Sequence, residues 1–238
     1  MVSFEGGKTV DIKKLKFLSP EQLFLYSVNN INKVIFLDVE ATSISIRYGH
    51  LSIVGTVYFE GEKDKKPKFK PFIRHCNLSK LSEHLQQFKI VVTWNGTYHD
   101  VPYSEKEFGK KLFNDIAHLD LRIIGRKFDL SGSLKKLENF LEFYRNPSIA
   151  EQCQNYKDAI KLWFSRHKDL QLLKILVLYN YFDVANLYNL FVYIAKEKYS
   201  LQVQLEYLTK ADIPAVSVRK INNKIAILVG KRAYILNN

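Results

Sequence analysis

The sequence predicts an α/β fold, a sheet flanked by helices, with a small β-meander at the C-terminal end. Residues 34–74 carry three apolar, β-branched strand patterns joined by short connections. Residues 78–141 alternate helical and strand patterns, and residues 149–198 read as helix with one break. The tail then returns to strand. The expected organisation is an N-terminal extension with a short helix over 1–31, a main domain over 32–198 and a basic β-meander over 199–238.

Taken in order, Ser19-Pro20-Glu21-Gln22 opens a helix running to about Asn29. Ser is the N-cap, Pro occupies the first helical position, and Gln can reach back to the cap. Strands follow at 34–39, 51–59 and 69–74; their short links favour antiparallel pairing. A helix over 78–88 precedes a strand over 90–94. Ser104 and Glu107 have capping-box spacing before a further helix, and a strand follows over 116–121. Ser133 can cap a helix over 134–141. The break in the 149–198 helical stretch is expected near His167-Lys168-Asp169. In the tail, strands at 215–221 and 224–229 flank an Asn222-Asn223 turn, with a third strand at 233–236.

With 36 Lys and Arg against 24 Asp and Glu, the chain carries a net charge of +12, which favours a polyanionic partner, nucleic acid first. Hydrophobic content of 47% and charged content of 25% are those of an ordinary globular chain, not a disordered one. Cys76 and Cys153 have no Cys or His neighbour at metal-ligand spacing, which argues against zinc and for a reducing compartment. No basic-then-apolar leader pattern opens the chain. No stretch reaches the ~18 uninterrupted apolar residues of a membrane span. The expectation is a cytoplasmic protein with no membrane role.

The chemistry lies in the acids. Asp38 and Glu40 stand at the end of the apolar run 34–37, two apart on a strand, so both carboxylates face the same way beside a core. Two such charges are costly without a neutralising cation. Asn95-Gly96-Thr97-Tyr98-His99-Asp100 follows another strand. Tyr179 and Asp183 are four apart on an apolar helix and so share one face. Each has a plain alternative: Asp38 and Glu40 can pair with Lys or Arg, Asp100 can stabilise a turn, and Tyr179 can simply hydrogen-bond Asp183.

Together, Asp38-Val39-Glu40-Ala41-Thr42, Asn95 to Asp100 and Tyr179 to Asp183 resemble the three motifs of the DEDD superfamily of 3′→5′ exonucleases, in its Tyr-containing (DEDDy) form. The resemblance covers roughly residues 32–196. Within that superfamily it resembles RNase H-like exonuclease domains and the proofreading domains of family B DNA polymerases. It implies an RNase H-like mixed sheet and two-metal hydrolysis of single-stranded DNA or RNA to nucleoside monophosphates, with two Mg²⁺ or Mn²⁺ ions. Carboxylates suit such ions, which prefer hard oxygen ligands. By this resemblance Asp38 bridges both ions, Glu40 and Asp183 hold the ion that activates water, Asp100 holds the second ion, and Tyr179 orients the attacking water. His99 departs from the motif, which has an aromatic residue there.

Asp120 is expected beside the site, either near the ions or capping residues 121–126. Asn95 is expected to bind the substrate backbone or fix its loop, and Thr42 to offer its NH or hydroxyl to the terminal nucleotide. The segment Lys63 to Lys70, with Lys65, Lys66 and Lys68, reads as a phosphate-contacting hairpin tip or a solubilising turn. Arg219, Lys220, Lys224, Lys231 and Arg232 make a basic face or a protective edge. Trp94 fits the core better than a base-stacking role. Two other functions fit the same motifs: a structure-specific endonuclease, and a non-catalytic nucleic-acid-binding module or complex subunit.

Overall fold

The computed structural model describes residues 12–61, 64, 66–221 and 224–236. Two helices, α1 (Ile12–Lys16) and α2 (Pro20–Asn29), lead into the strands β1 (Val34–Ala41), β2 (Leu51–Tyr58) and β3 (Lys68–Ile73). Then come α3 (Leu81–Leu85), β4 (Ile90–Thr93), α4 (Asp100–Phe108), β5 (Ala117–Asp120), α5 (Leu121–Arg126) and α6 (Leu134–Phe140). The helices α7 (Pro147–Gln152), α8 (Tyr156–Ser165) and α9 (Leu170–Tyr193) complete this part, and β6 (Val216–Ile221), β7 (Lys224–Val229) and β8 (Arg232–Leu236) form the tail.

The main sheet runs β3-β2-β1-β4-β5. β1, β2 and β3 pair antiparallel, as their short links require, while β4 and β5 join parallel after helical crossovers. This mixed sheet flanked by helices is the RNase H-like fold. The tail strands form a separate antiparallel sheet, β6-β7-β8. The Asn222-Asn223 turn lies outside the described residues.

Alternation along β1 sorts its side chains between two cores. Ile35, Leu37 and Val39 join the cluster under α3 and α4, while Val34 and Phe36 join the cluster that contains α9. Asp38 and Glu40 continue the second series, so the carboxylates face α9. That helix is apolar on all sides and buried along most of its length. With the turn that follows it, Leu170–Lys198 is long and apolar enough to cross a membrane, but it is enclosed by the protein's own sheet and helices.

Local chemistry explains where the elements differ from the sequence reading. Ser19 forms the expected capping box, its hydroxyl accepting from Gln22 NH at 3.2 Å while Gln22 accepts from Ser19 NH at 3.0 Å. Ser104 starts nothing: α4 begins at Asp100, and Ser104 is buried inside it. The helix expected over 78–88 is a 3₁₀ turn, Leu78–Lys80, followed by the short α3. The 149–198 stretch breaks twice rather than once. Besides the expected break before α9, where Asp169 caps Gln171 NH, Asn155 takes an extended conformation and caps α8 through Lys157 and Asp158 NH.

Candidate active site

Asp38 stands opposite Gly55 in the β1–β2 register, and the glycine is needed there. A Cβ on Gly55 would come within 2.2 Å of Asn180 Oδ1, so α9 reaches the strand pair only because no side chain intervenes. Asn180 Nδ2 donates to Asp38 Oδ2 at 3.0 Å. One turn further, α9 presents Asp183. Oxygen atoms of Asp38, Glu40 and Asp183 lie within 4.8 Å of one another. All of these ligand atoms are hard oxygens, the donor set that fits Mg²⁺ or Mn²⁺.

Asp100 stands beside this group at the start of α4. Its Oδ1 accepts from Val39 NH at 3.1 Å, serving a backbone donor of β1 beyond the end of the β1–β4 pairing. Gly96 permits this approach: a Cβ there would meet Thr93 Oγ1 at 2.1 Å and Asp100 Oδ2 at 2.9 Å.

Crowding four acids here has an electrostatic cost. Burial, then the Asp183 charge, pushes the Asp38 and Glu40 carboxyls well above the usual range. Burial raises Asp100 to about 7, although its hydrogen bonds to backbone NH groups oppose the rise. The Tyr179 phenol is pushed up by burial and then by Asp183, so it stays neutral.

Two cations that the sequence reading did not single out partly offset the acids. Lys135, on α6, donates to Tyr179 Oη at 3.1 Å and its ammonium lies 4.4 Å from that ring's centre. Arg145 donates to both Glu138 oxygens at 2.8 Å and to Asp183 Oδ1, a buried three-way ion pair. Its only signal in the sequence is indirect. Lys135 and Glu138 are three apart on the helix that Ser133 caps, and so share a face, but nothing in the spacing brings Arg145 to them.

The remaining residues of the sequence reading fall around this centre. Asp120 accepts from Asn95 NH at 2.8 Å, Thr97 Oγ1 at 2.9 Å and Arg122 NH at 3.1 Å; it caps α5 and clamps the 95–97 turn. Asn95, with a positive φ of 60°, also accepts from Arg122 Nη1 at 2.5 Å and so fixes its loop. His99 packs on Tyr103, ring centres 5.0 Å apart, and Tyr103 Oη donates to Ser43 O at 2.5 Å. The imidazole thereby fills the aromatic position and ties this loop to the one after β1. Thr42 spends its NH on His50 O at 2.8 Å and accepts from His50 NH at 3.0 Å, which leaves its hydroxyl hydrogen to offer but not its NH. Trp94 packs against the core.

The described lysines of the basic segment do not reach the acids. Lys65 lies outside the described residues. Lys66 pairs with Asp212 at 2.9 Å and Lys68 with Glu60. Lys68 is level with Tyr58 and Ile35, three positions along the sheet from Asp38.

Residues 35–195 match the family model described as the RNase_H superfamily. Among solved structures, the family B DNA polymerase from the hyperthermophilic archaeon Pyrobaculum calidifontis aligns with a TM-score of 0.50 at 13% identity, over 68% of this chain and 24% of the polymerase. Exonuclease I in complex with the inhibitor BCBP aligns with a TM-score of 0.37 at 10% identity, over 70% of this chain and 45% of that one. The chain thus spans less than half the length of either. No curated protein matches it by sequence. The family match takes in every strand of the main sheet and all four acids, over more than half of the sequence, and the chain belongs to the RNase_H superfamily.

Proposed function

We propose that this protein is a metal-dependent 3′→5′ exonuclease acting on single-stranded DNA or RNA and releasing nucleoside monophosphates. The observation that carries the reading is the convergence of Asp38, Glu40 and Asp183 oxygens within 4.8 Å on a buried face. Uncompensated acids at that spacing are costly, and a divalent cation relieves the cost. Two Mg²⁺ or Mn²⁺ ions, when bound, supply a hydroxide at neutral pH and neutralise charge on the phosphate and the leaving oxygen. In this reading Asp38, Glu40, Asp183 and Asp100 would hold the ions, with Glu40 and Asp183 on the side of the attacking water.

The chain's own groups do the rest. Tyr179, neutral and held by Lys135, has a hydroxyl hydrogen to orient the attacking water. The Thr42 hydroxyl can hold the terminal nucleotide, and the clamped 95–97 turn sets the height of Asp100. Residues 32–198 form the catalytic unit in this proposal, with 1–31 and 199–238 as attachments. The net charge of +12 suits a polyanionic substrate.

The test is a product ladder. Matched 5′-labelled DNA and RNA oligomers, with Mn²⁺ and with EDTA, are expected to shorten stepwise from the 3′ end only when metal is present. A closed circular strand is expected to stay intact; its cleavage would turn the assignment to an endonuclease. One observation favours a second reading: Arg145 already pairs with Asp183, as a resident cation would in a non-catalytic nucleic-acid-binding module. No ladder and no heat of Mn²⁺ binding in calorimetry, together with retained binding of the labelled oligomer, would establish that reading instead.

A further inference from the structure

Away from the acids, a cleft of about 670 Å³ opens between β2, the residues around α3, and the strand β8 of the tail sheet. Its walls include Tyr58, Lys70, His84, Phe88, Arg232 and Tyr234. It is separate from the acid site. Tyr58 belongs to the core on the opposite face of the sheet, and its partner Ile35 is three residues from Asp38, about 10 Å along a strand.

Three features of this cleft are unusual. His84 is 3% exposed, packed between the rings of Tyr58, Phe72 and Phe88, and its Nε2 has no hydrogen-bond partner. Tyr234 is 8% exposed; the group beside its hydroxyl is the Arg232 guanidinium, itself a donor, so no acceptor meets the hydroxyl hydrogen. Buried donors without acceptors each cost about 1–3 kcal/mol, so two in the walls of one cleft call for an explanation.

The third feature is charge. Glu60, the one carboxylate in the cleft wall among the described residues, is shared by Arg232 and Lys68. Lys70 has no carboxylate within ion-pair distance among the described residues; its ammonium lies 5.0 Å from the centre of the Phe72 ring. Burial, then Arg232 and Lys80, lowers the Lys70 pKa, so this cation is crowded by like charge. Neutral His84, its pKa held down to about 4 by burial, can donate from Nε2. Tyr234 can donate from its hydroxyl, and Lys70 and Arg232 donate as cations.

We propose that this cleft is a binding site for a phosphate monoester, with Lys70 and Arg232 supplying the charge and Tyr234 and His84 the neutral donors. With Glu60 already shared by Arg232 and Lys68, the donors left facing the cleft, two of them cationic, select an anion rich in acceptor oxygens. A cleft of this size has room for more than inorganic phosphate. The monoester can be a free small molecule or the 5′ end of a nucleic-acid strand. The proposal does not depend on the nuclease reading.

The test uses the full chain in EDTA, which keeps metal-mediated binding at the acids out of the measurement. Inorganic phosphate, adenosine monophosphate, and a short oligonucleotide with either a 5′-phosphate or a 5′-hydroxyl are titrated calorimetrically against the wild type, Lys70→Met and Tyr234→Phe. Phosphate and the mononucleotide are expected to bind the wild type, and each variant to weaken that binding about tenfold or more. Tyr234→Phe deletes a hydroxyl whose hydrogen has no acceptor, so its melting temperature without phosphate is expected to stay close to that of the wild type. Preference for the 5′-phosphorylated oligonucleotide over its 5′-hydroxyl twin identifies a strand end as the ligand; equal binding of the two restricts the site to free monoesters. No phosphate binding in EDTA, or binding that neither variant weakens, overturns the proposal.

Discussion

Asp38 carries the most at the scale of single residues. It receives Asn180, faces Asp183, and sits where burial and like charge both oppose ionisation. Asp38→Asn keeps the shape and deletes the charge. It is expected to abolish metal-dependent hydrolysis while raising the melting temperature of the metal-free protein, because one repelling charge leaves the cluster. An activity assay beside a thermal melt in EDTA checks both halves, and near-wild-type turnover would remove Asp38 from the site. Arg145 should act in the opposite sense. Arg145→Met leaves Glu138 and Asp183 without their cation, so it is expected to lower metal-free stability, by about 3–5 kcal/mol if the cost is typical of a broken buried pair. Mn²⁺ should then restore more stability in the variant than in the wild type. Urea unfolding with and without Mn²⁺ reads this directly.

At the scale of elements, the contact of α9 with the β1–β2 pair decides the site. Gly55 and Asn180 set that contact, and neither is acidic. Gly55→Ala places a methyl within 2.2 Å of Asn180 Oδ1 and must push the amide or the helix away. A loss of roughly 1–3 kcal/mol in unfolding free energy is expected, the usual cost of overpacking. Asn180→Ala is expected to weaken Mn²⁺ binding about 10–100-fold, as loss of a group that orients a ligand does. Calorimetric Mn²⁺ titration without substrate would show it, and unchanged affinity would mean that Asn180 does not orient Asp38. The capping signals at Ser19 and Ser133 are legible because each is made within four residues. Ser104 was misleading for the same reason: its motif is local, but the turn that delivers Asp100 had already begun the helix.

At the scale of the whole molecule, the acids make stability depend on pH and on metal together. Burial pushes Asp100 up to about 7 from an ordinary value of 3.8, and it also raises Asp38 and Glu40. The folded state therefore holds protons that the unfolded chain has released. Stability from these groups is complete below about pH 4 and is lost as pH rises through 7. His84 works the other way, losing stability as pH falls from 6.5 towards about 4, so the acids dominate the upper part of the range. In EDTA the melting temperature is expected to fall as pH rises from about 6.5 through 7, and saturating Mn²⁺ to flatten or reverse that fall. A pH-independent melting temperature in EDTA would mean that the acids do not hold extra protons.

The antiparallel start of the sheet, the caps at Ser19 and Ser133, the tail sheet and the acidic motifs are legible in the chain, because each is written in local periodicity or in motif residues a few positions apart. The sequence placed Asp38 and Glu40 on one face without knowing which helix that face would meet. Only the tertiary structure decided that the face meets α9 through Gly55, that Arg145 reaches Asp183 from 38 residues away in the chain, and that Lys66 and Lys68 are held in ion pairs away from the acids. The physical reason is the same in each case. Packing distance and charge pairing depend on which elements come together, and no short-range pattern in the chain encodes that.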